Sequence, residues 1–430
     1  MTAATLEPAP TPATSREHTR ALVRRYAAPV LMLLGALAVL LGLFGAAQPP
    51  GEVSSAFLLA TGSDFVQLPP LSLPTVASGI AAGIVLLAIT AVATVFAIRG
   101  SRRPRGLAVG YVLVAVVALL IWAVADKELS IPALLAGSLA FAVPLVYGSL
   151  AGVLSERSGV VNIAIEGQLL SGAFCAAVIG TLTGNLFVAL IAAGIAGAAV
   201  SIVLAVFAVR YLVDQVIVGV VLNVFVIGLT TFLHSNVLTP ATNSPPRFER
   251  IAIPGLSQIP LVGPMLFNQT VVVYLMYLVL AIVTIALFRT RWGLRVRAVG
   301  EHPQAADTVG INVARTRLLS VLLGGVVAGL GGAYFTIGSV GAFSPEMTAG
   351  NGFIALAALI FGRWHPLYAA AAALLFGFTR NLQSLLGIIG SPIPSQFLLM
   401  LPYVVTIIAV AGFAGRVRGP AADGVPYVKS

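Results

Sequence analysis

The sequence has 430 residues, of which 59% are hydrophobic and only 9% charged, and its mean hydropathy is +1.02. A soluble globular domain carries about 25% charged residues, so the composition excludes a water-soluble enzyme and leaves an all-α polytopic membrane protein, because each crossing needs about 20 apolar residues. The net charge of +10 comes from 22 Arg and two Lys, Lys127 and Lys429; the arginines flank apolar runs, which fits orientation by the positive-inside rule and not nucleic-acid binding.

Residues 1–26 are rich in Ala, Pro and Thr and read as a disordered cytoplasmic tail. The apolar run at 27–47 is longer than the core of a signal peptide and is followed by no clear cleavage site, so it reads as a first span. Further spans are expected at 76–98, 106–125, 131–154, 168–186, 187–209, 216–237, 270–288, 318–339, 350–361, 367–386 and 397–415. Short or broken helices blur that count, so the fold class is a bundle of about 9–12 spans with broken or re-entrant segments and both termini cytoplasmic. The implied topology places 20 cations inside, among them the four arginines of 99–105, against Lys127, Arg247, Arg250 and Arg380 outside. Four parts follow: the tail, a three-span appendage at 27–130, a core at 131–415 and a cytoplasmic tail at 416–430.

Polar residues inside an apolar bundle are costly and mark functional candidates. The segment from Glu156 to Gln168 places Glu156, Arg157, Asn162, Glu166 and Gln168 between two apolar helices. Either it is a hydrated turn, or it is a broken helix whose polar groups face a cavity near the midplane; Gly159 and Gly167 favour the second. Asp214 and Gln215 open the next polar group, where Asp214 also suits a helix cap, and Asn223 falls mid-span, facing a cavity or another helix. The loop between Arg289 and Arg317 carries six Arg and a stretch, Glu301 to Ile311, that predicts a short helix with Pro303 in its first turn and Gly310 at its end. It reads as a docking helix for a cytoplasmic partner, with a solvated basic linker as the alternative. Residues 238–269 hold eight Pro or Gly between Pro240 and Pro264 and form the longest outside loop.

Cys175 is the single cysteine and lies in an apolar run, so no disulfide framework is expected, and His18, His234, His302 and His365 are too scattered for a metal cluster. There is no G-x-x-x-x-G-K-[ST] motif, so ATP binding through a P-loop is not expected, and no catalytic or dinucleotide fingerprint appears.

The segments Leu154-Ser-Glu-Arg-Ser-Gly-Val-Val-Asn-Ile-Ala-Ile-Glu-Gly-Gln168 and Asp214-Gln-Val-Ile-Val-Gly-Val-Val-Leu-Asn223 resemble the permeases of bacterial ABC importers. Within those they look like the subgroup for nucleosides and simple sugars, related to ribose and branched-chain amino acid permeases. Three further stretches agree in order: 253–264, 293–306 and 350–366. The resemblance covers about 131–415 and does not extend to the appendage. It implies a transport subunit without an ATPase site or cofactor of its own, ATP being used by a partner. The implied partners are a cytoplasmic ABC ATPase, a second permease (identical or homologous) and an extracytoplasmic substrate-binding lipoprotein, all at the cell membrane. It also implies that Asn162, Glu166, Gln168, Asp214, Gln215 and Asn223 belong to the substrate path. Gln304-Ala305-Ala306-x-x-x-Gly310 matches the Glu-Ala-Ala-x-x-x-Gly coupling motif, with Arg295, Arg297, Glu301 and Pro303 beside it. Gln304 replaces the motif's Glu, so any salt bridge from that position falls to Glu301 or Asp307.

A nucleoside is the expected substrate, with a ribose-like sugar as the alternative. An ion-coupled secondary transporter is a further reading, with Glu156, Glu166 and Asp214 as its only carboxylate candidates.

Overall fold

A computed structural model describes residues 15–46, 53–62, 64–101, 104–238, 243–390, 396–400 and 418–428. Among them nine helices are long and apolar enough to cross a membrane. Inside lipid every backbone N–H and C=O must find a partner within the segment, so apolar runs of this length close into helices.

The first compact unit comprises Met1–Leu58, Pro69–Ser130 and Ile388–Ile393. It holds α1 (Ser15–Leu37), which widens into a π-helical stretch over Ala38–Ala46, α2 (Thr75–Ile98) and α3 (Arg105–Ala123). The π-helical stretch sets Leu40 and Phe44 against Gly83 and Gly79 of α2, where a Cβ has no room. Three short strands, β1 (Ser54–Leu58), β2 (Leu71–Pro74) and β3 (Glu128–Ser130), form a sheet of order β2-β1-β3. The sequence reading expected only spans and a loop here. Buried Ser55 on β1 holds the sheet to the helices through Thr75 Oγ1 at 2.7 Å and the Ile121 carbonyl at 2.6 Å.

The second unit comprises Leu59–Leu68, Ile131–Gly387 and Pro394–Ser430. Its long helices are α4 (Ile131–Glu156), α5 (Ile165–Thr183), α6 (Leu186–Ala205, continued as a π-helix to Arg210) and α7 (Gln215–Val237). The loop after α7 adds β4 (Ile251–Ala252), α8 (Val262–Leu266) and β5 (Asn268–Gln269), with β4 and β5 antiparallel. Then come α9 (Val271–Arg289), α10 (Arg291–Glu301), α11 (Pro303–Thr308), α12 (Val313–Phe335), α13 (Asn351–Phe361) and α14 (Pro366–Ile388). Side-chain caps mark the starts: Asn185 accepts from Phe187 and Val188 N–H at α6, and Asn312 accepts from Arg315 N–H at α12.

Helix α12 is the hub and packs on α4, α5 and α6. Hydrophobic force does not hold helices together in lipid, so close approach through small residues does. Gly324, Gly325, Gly329, Gly331 and Gly332 of α12 supply it, with Gly172 of α5 and Gly197 of α6 on the facing sides.

Further expectations change. Residues 15–26, read as part of a disordered tail, form the start of α1. The span expected at 350–361 is the 11-residue helix α13, about 16 Å long at 1.5 Å per residue, half of what a crossing needs. The loop after α9 holds two helices, α10 and α11, where one was expected. The expected span at 397–415 lies outside the described residues except for 397–400, as do the tail residues 1–14.

Candidate functional site

Between α4 and α5 the chain runs without regular structure from Arg157 to Ala164, yet Ser158, Gly159, Val160, Asn162 and Ala164 are buried. Burial of this kind does not fit a turn exposed to solvent. Gly159 takes φ +87°, and a Cβ there would lie 2.8 Å from Arg317 Nη2 and 2.9 Å from the Ala422 carbonyl.

Most of the polar groups are satisfied from within. Asn162 and Gln168, both 0% exposed, exchange two amide hydrogen bonds of 3.1 Å. Asn162 also donates to Ser155 Oγ at 3.3 Å, and Gln168 to Ser201 Oγ at 2.9 Å. Asn223 on α7 accepts from Gly167 N–H and donates to the Ile163 carbonyl, both at 2.8 Å, and so staples α7 to the break. Gln215 Oε1 accepts from Val161 N–H at 2.7 Å, while its buried Nε2 has no partner. Asp214 is exposed and caps α7, accepting from Val216 and Ile217 N–H.

Glu166, at the start of α5, reaches the half-helix α13. It accepts from Thr348 Oγ1 at 2.7 Å, Gly350 N–H at 2.8 Å and Gly352 N–H at 2.5 Å. The first amides of a helix lack internal acceptors, so Glu166 fixes where α13 begins. At the other end of α13, Arg363 and Trp364 take φ of +52° and +54°, uncommon for bulky residues. Trp364 Nε1 donates to Glu156 at 2.5 Å, and Arg157 Nε donates to the Trp364 carbonyl at 2.9 Å. Of the expected path residues, the structure therefore gathers Asn162, Glu166, Gln168, Gln215 and Asn223 around the break. Asp214 sits apart as a cap.

The second cluster is the α10–α11 hairpin. Gly293, Val296, Val299 and Gly300 bury one face of α10, and Ala306 buries the inner face of α11 against Val299 and Val313. Arg295, Glu301, Gln304, Ala305 and Gly310 are exposed, Pro303 and Arg297 half-buried. Arg297 lies over the Phe288 ring at 5.1 Å. Pro303 opens α11 and Gly310 follows it at φ +83°. Leu294 and Val309 stand 62% and 74% exposed on the same hairpin, outside the spanning helices. The hairpin meets the break directly, since a Cβ on Gly300 would run into the Arg157 carbonyl. Burial lowers the Arg157 pKa, with Glu301 opposing.

Sequence reasoning missed Thr348, Ser201, Ser155, Trp364 and Arg317 as partners of these groups. Trp364 was within reach, because Gly350 to Pro366 is one of the stretches that carry the resemblance.

The family described as "Branched-chain amino acid transport system / permease component" matches residues 134–410. The guanosine ABC transporter permease protein NupQ of Bacillus subtilis is 41% identical over 307 residues, covering 68% of this chain and 95% of that protein. The nucleoside ABC transporter permease protein NupC of Lactococcus lactis is likewise 41% identical over 307 residues, covering 69% and 97%. The putative glucose ABC transporter permease protein TsgC13 of Haloferax volcanii is 38% identical over 241 residues, covering 56% and 73%. No solved structure matches the chain. With the family match spanning more than half of the sequence and nine apolar helices to cross the bilayer, the chain belongs to the branched-chain amino acid transport system permease family, as a multi-pass permease subunit of an ABC transporter.

Proposed function

We propose that this chain forms part of the membrane path of a binding-protein-dependent importer for nucleosides, with no catalytic site of its own. The observation that carries the reading is the 41% identity to two permeases named for guanosine and for nucleosides, over 95% and 97% of their lengths. A cytoplasmic ATPase docks on the α10–α11 hairpin, where Leu294, Arg295, Gln304, Ala305 and Val309 offer an exposed surface of mixed apolar and polar character. A second permease completes the path, and a lipoprotein delivers substrate over the loop that holds β4, α8 and β5. Asn162, Glu166, Gln168, Gln215 and Asn223 shape the break at the path, and Asp214 fixes the start of α7 beside it. Residues 27–130 are an appendage, and both termini face the cytoplasm. ATP biases the permease only if the docked hairpin makes different contacts in its two states.

A simple-sugar cargo is the second reading, favoured by the Haloferax volcanii relative named for glucose. The test is uptake of labelled adenosine and uridine in a strain with this gene deleted, with and without ATP depletion, in competition with excess ribose. Loss of ATP-dependent nucleoside uptake that ribose does not compete for is the expected result. Unchanged nucleoside uptake sinks the nucleoside reading and makes the sugar the leading cargo.

A further inference from the structure

The segment 418–428 follows the last expected span, and nothing in the family resemblance gives it work. It is nevertheless folded into the space between the hairpin and the break. Ala422 N–H donates to the Gly300 carbonyl of α10 at 2.9 Å, and Ala421 N–H to Glu301 Oε2 at 3.2 Å. Arg317 of α12, 2% exposed, donates to the carbonyls of Val425 at 2.9 Å, Ala422 at 3.5 Å and Ser158 in the break at 3.2 Å. One guanidinium thus ties the segment and the break to α12. Gly419 lies against Trp364, whose ring atoms would be 3.0 Å from a Cβ there. Tyr427 packs on the Val299, Ala306 and Val313 cluster beneath the hairpin.

Asp423 sits at the centre of these contacts. Its carboxyl lies beside the Glu156 carboxyl at the end of α4 and interacts with it. No N–H or O–H donor reaches its buried Oδ1. Burial pushes the Asp423 pKa up to about 7, with Arg317 opposing. Arg317 faces Asp423, and Arg157, next in the chain to Glu156, faces Glu301 and Arg297 of α10. Burial and Arg157 hold the His365 pKa below its ordinary value.

We propose that residues 418–428 are a strut that carries movement of the α10–α11 hairpin to the α4–α5 break, with Asp423 as a positioning residue acting through Glu156. The proposal rests on the hairpin being the ATPase contact. Coupling between distant sites travels through contiguous packed and hydrogen-bonded groups with two arrangements. Without the segment, α10 meets the break through Gly300 against Arg157 and Gly159 and through the charges of Arg297 and Glu301 beside Arg157. With it, the hairpin also reaches Val161 through Gly424 and Trp364 through Gly419, by way of the Ala422–Gly300 bond, while Arg317 of α12 holds Ser158 and the segment together.

The test uses the whole transporter, this chain with its ATPase and binding protein, in vesicles. Asp423→Ala and truncation after Gly419 should keep the ATPase bound and hydrolysing while uptake per ATP falls about tenfold. Asp423→Asn, which can donate to the Glu156 carboxylate, should bring the ratio back to within about threefold. Hydrogen exchange of 418–428 supplies a readout that simple loss of packing does not move. A raised carboxyl pKa contributes stability that is complete below the ordinary Asp value and lost as pH rises through about 7. Exchange should therefore speed up about tenfold beyond the intrinsic pH effect between about pH 5 and about pH 8, and Asp423→Asn should abolish that extra rise. Wild-type uptake per ATP in Asp423→Ala and in the truncation overturns the strut, as does pH-independent protection of the segment in the parent chain. Gln304→Arg isolates the underlying reading: it should strip the ATPase from the membranes, and an ATPase that stays bound with normal uptake refutes the hairpin contact while the Asp423 arms still report separately.

Discussion

Both oxygens of Glu166 are occupied by donors that lie 182 to 186 positions further along the chain. Each buried N–H left without an acceptor costs about 1–3 kcal/mol. Glu166→Ala strands two of them and the Thr348 hydroxyl, so it should destabilise the protein by on the order of 3 kcal/mol. Glu166→Gln keeps one acceptor oxygen and should fall between. The thermal midpoint of the purified protein in detergent checks this, and an Ala variant that melts like the parent would show that α13 needs no such cap. The cluster from Glu156 to Gln168 was legible in the sequence because charges and amides stand out in an apolar run. Its partners were not, because Thr348, Ser201 and Trp364 reach it only through the tertiary path of the chain. Asn162 and Gln168 show the limit most clearly: a cavity-facing pair and a mutually bonded pair have the same sequence.

At the scale of elements, the long helices follow from apolar length alone, while α10 and α13 escape that signal. Helix α10 buries only Gly293, Val296, Val299 and Gly300 among its arginines, a stripe too thin to separate from a basic linker. Helix α13 is apolar after Asn351, so its composition resembles a span and its 11-residue length betrays it. Which helices touch is written in glycine placement, legible only once the faces are known. A Cβ on Gly329 of α12 would strike the Ala193 carbonyl of α6 and come within 3.1 Å of Gly194 Cα. Gly329→Leu should therefore force α6 from α12, at a cost of at least about 1–3 kcal/mol, and sharply lower abundance in the membrane. Gly228→Leu on α7, where nothing lies within 4 Å, should leave abundance unchanged. Quantitative blotting of membranes separates them, and equal abundance of the two variants would refute the close α6–α12 packing.

The second unit as a whole constrains its own threading. Trp364 bonds Glu156, Arg157 touches Gly300 and Ala422 bonds Gly300, so the end of α13, the hairpin and the segment 418–428 share one side of the membrane. Helix α12 leaves that side and α13 returns to it, so the return leg consists of the irregular residues 341–350 and the half-helix α13. A discontinuous leg of this kind is tolerated in a bilayer only where protein surrounds it or a cavity wets it, and Glu166 meets it at its midpoint. On the proposed topology, with 20 cations on one side against 4 on the other, the shared side is the cytoplasmic one. This orientation can be read with an impermeant thiol reagent on intact cells carrying Cys175→Ser. Ser244 and Gln304 are both exposed, in the outer loop and on the hairpin. Ser244→Cys should label from outside and Gln304→Cys only after the membrane is opened. Labelling of Gln304→Cys in sealed cells, with Ser244→Cys protected, would invert the whole threading and move the ATPase contact to the wrong side of the membrane.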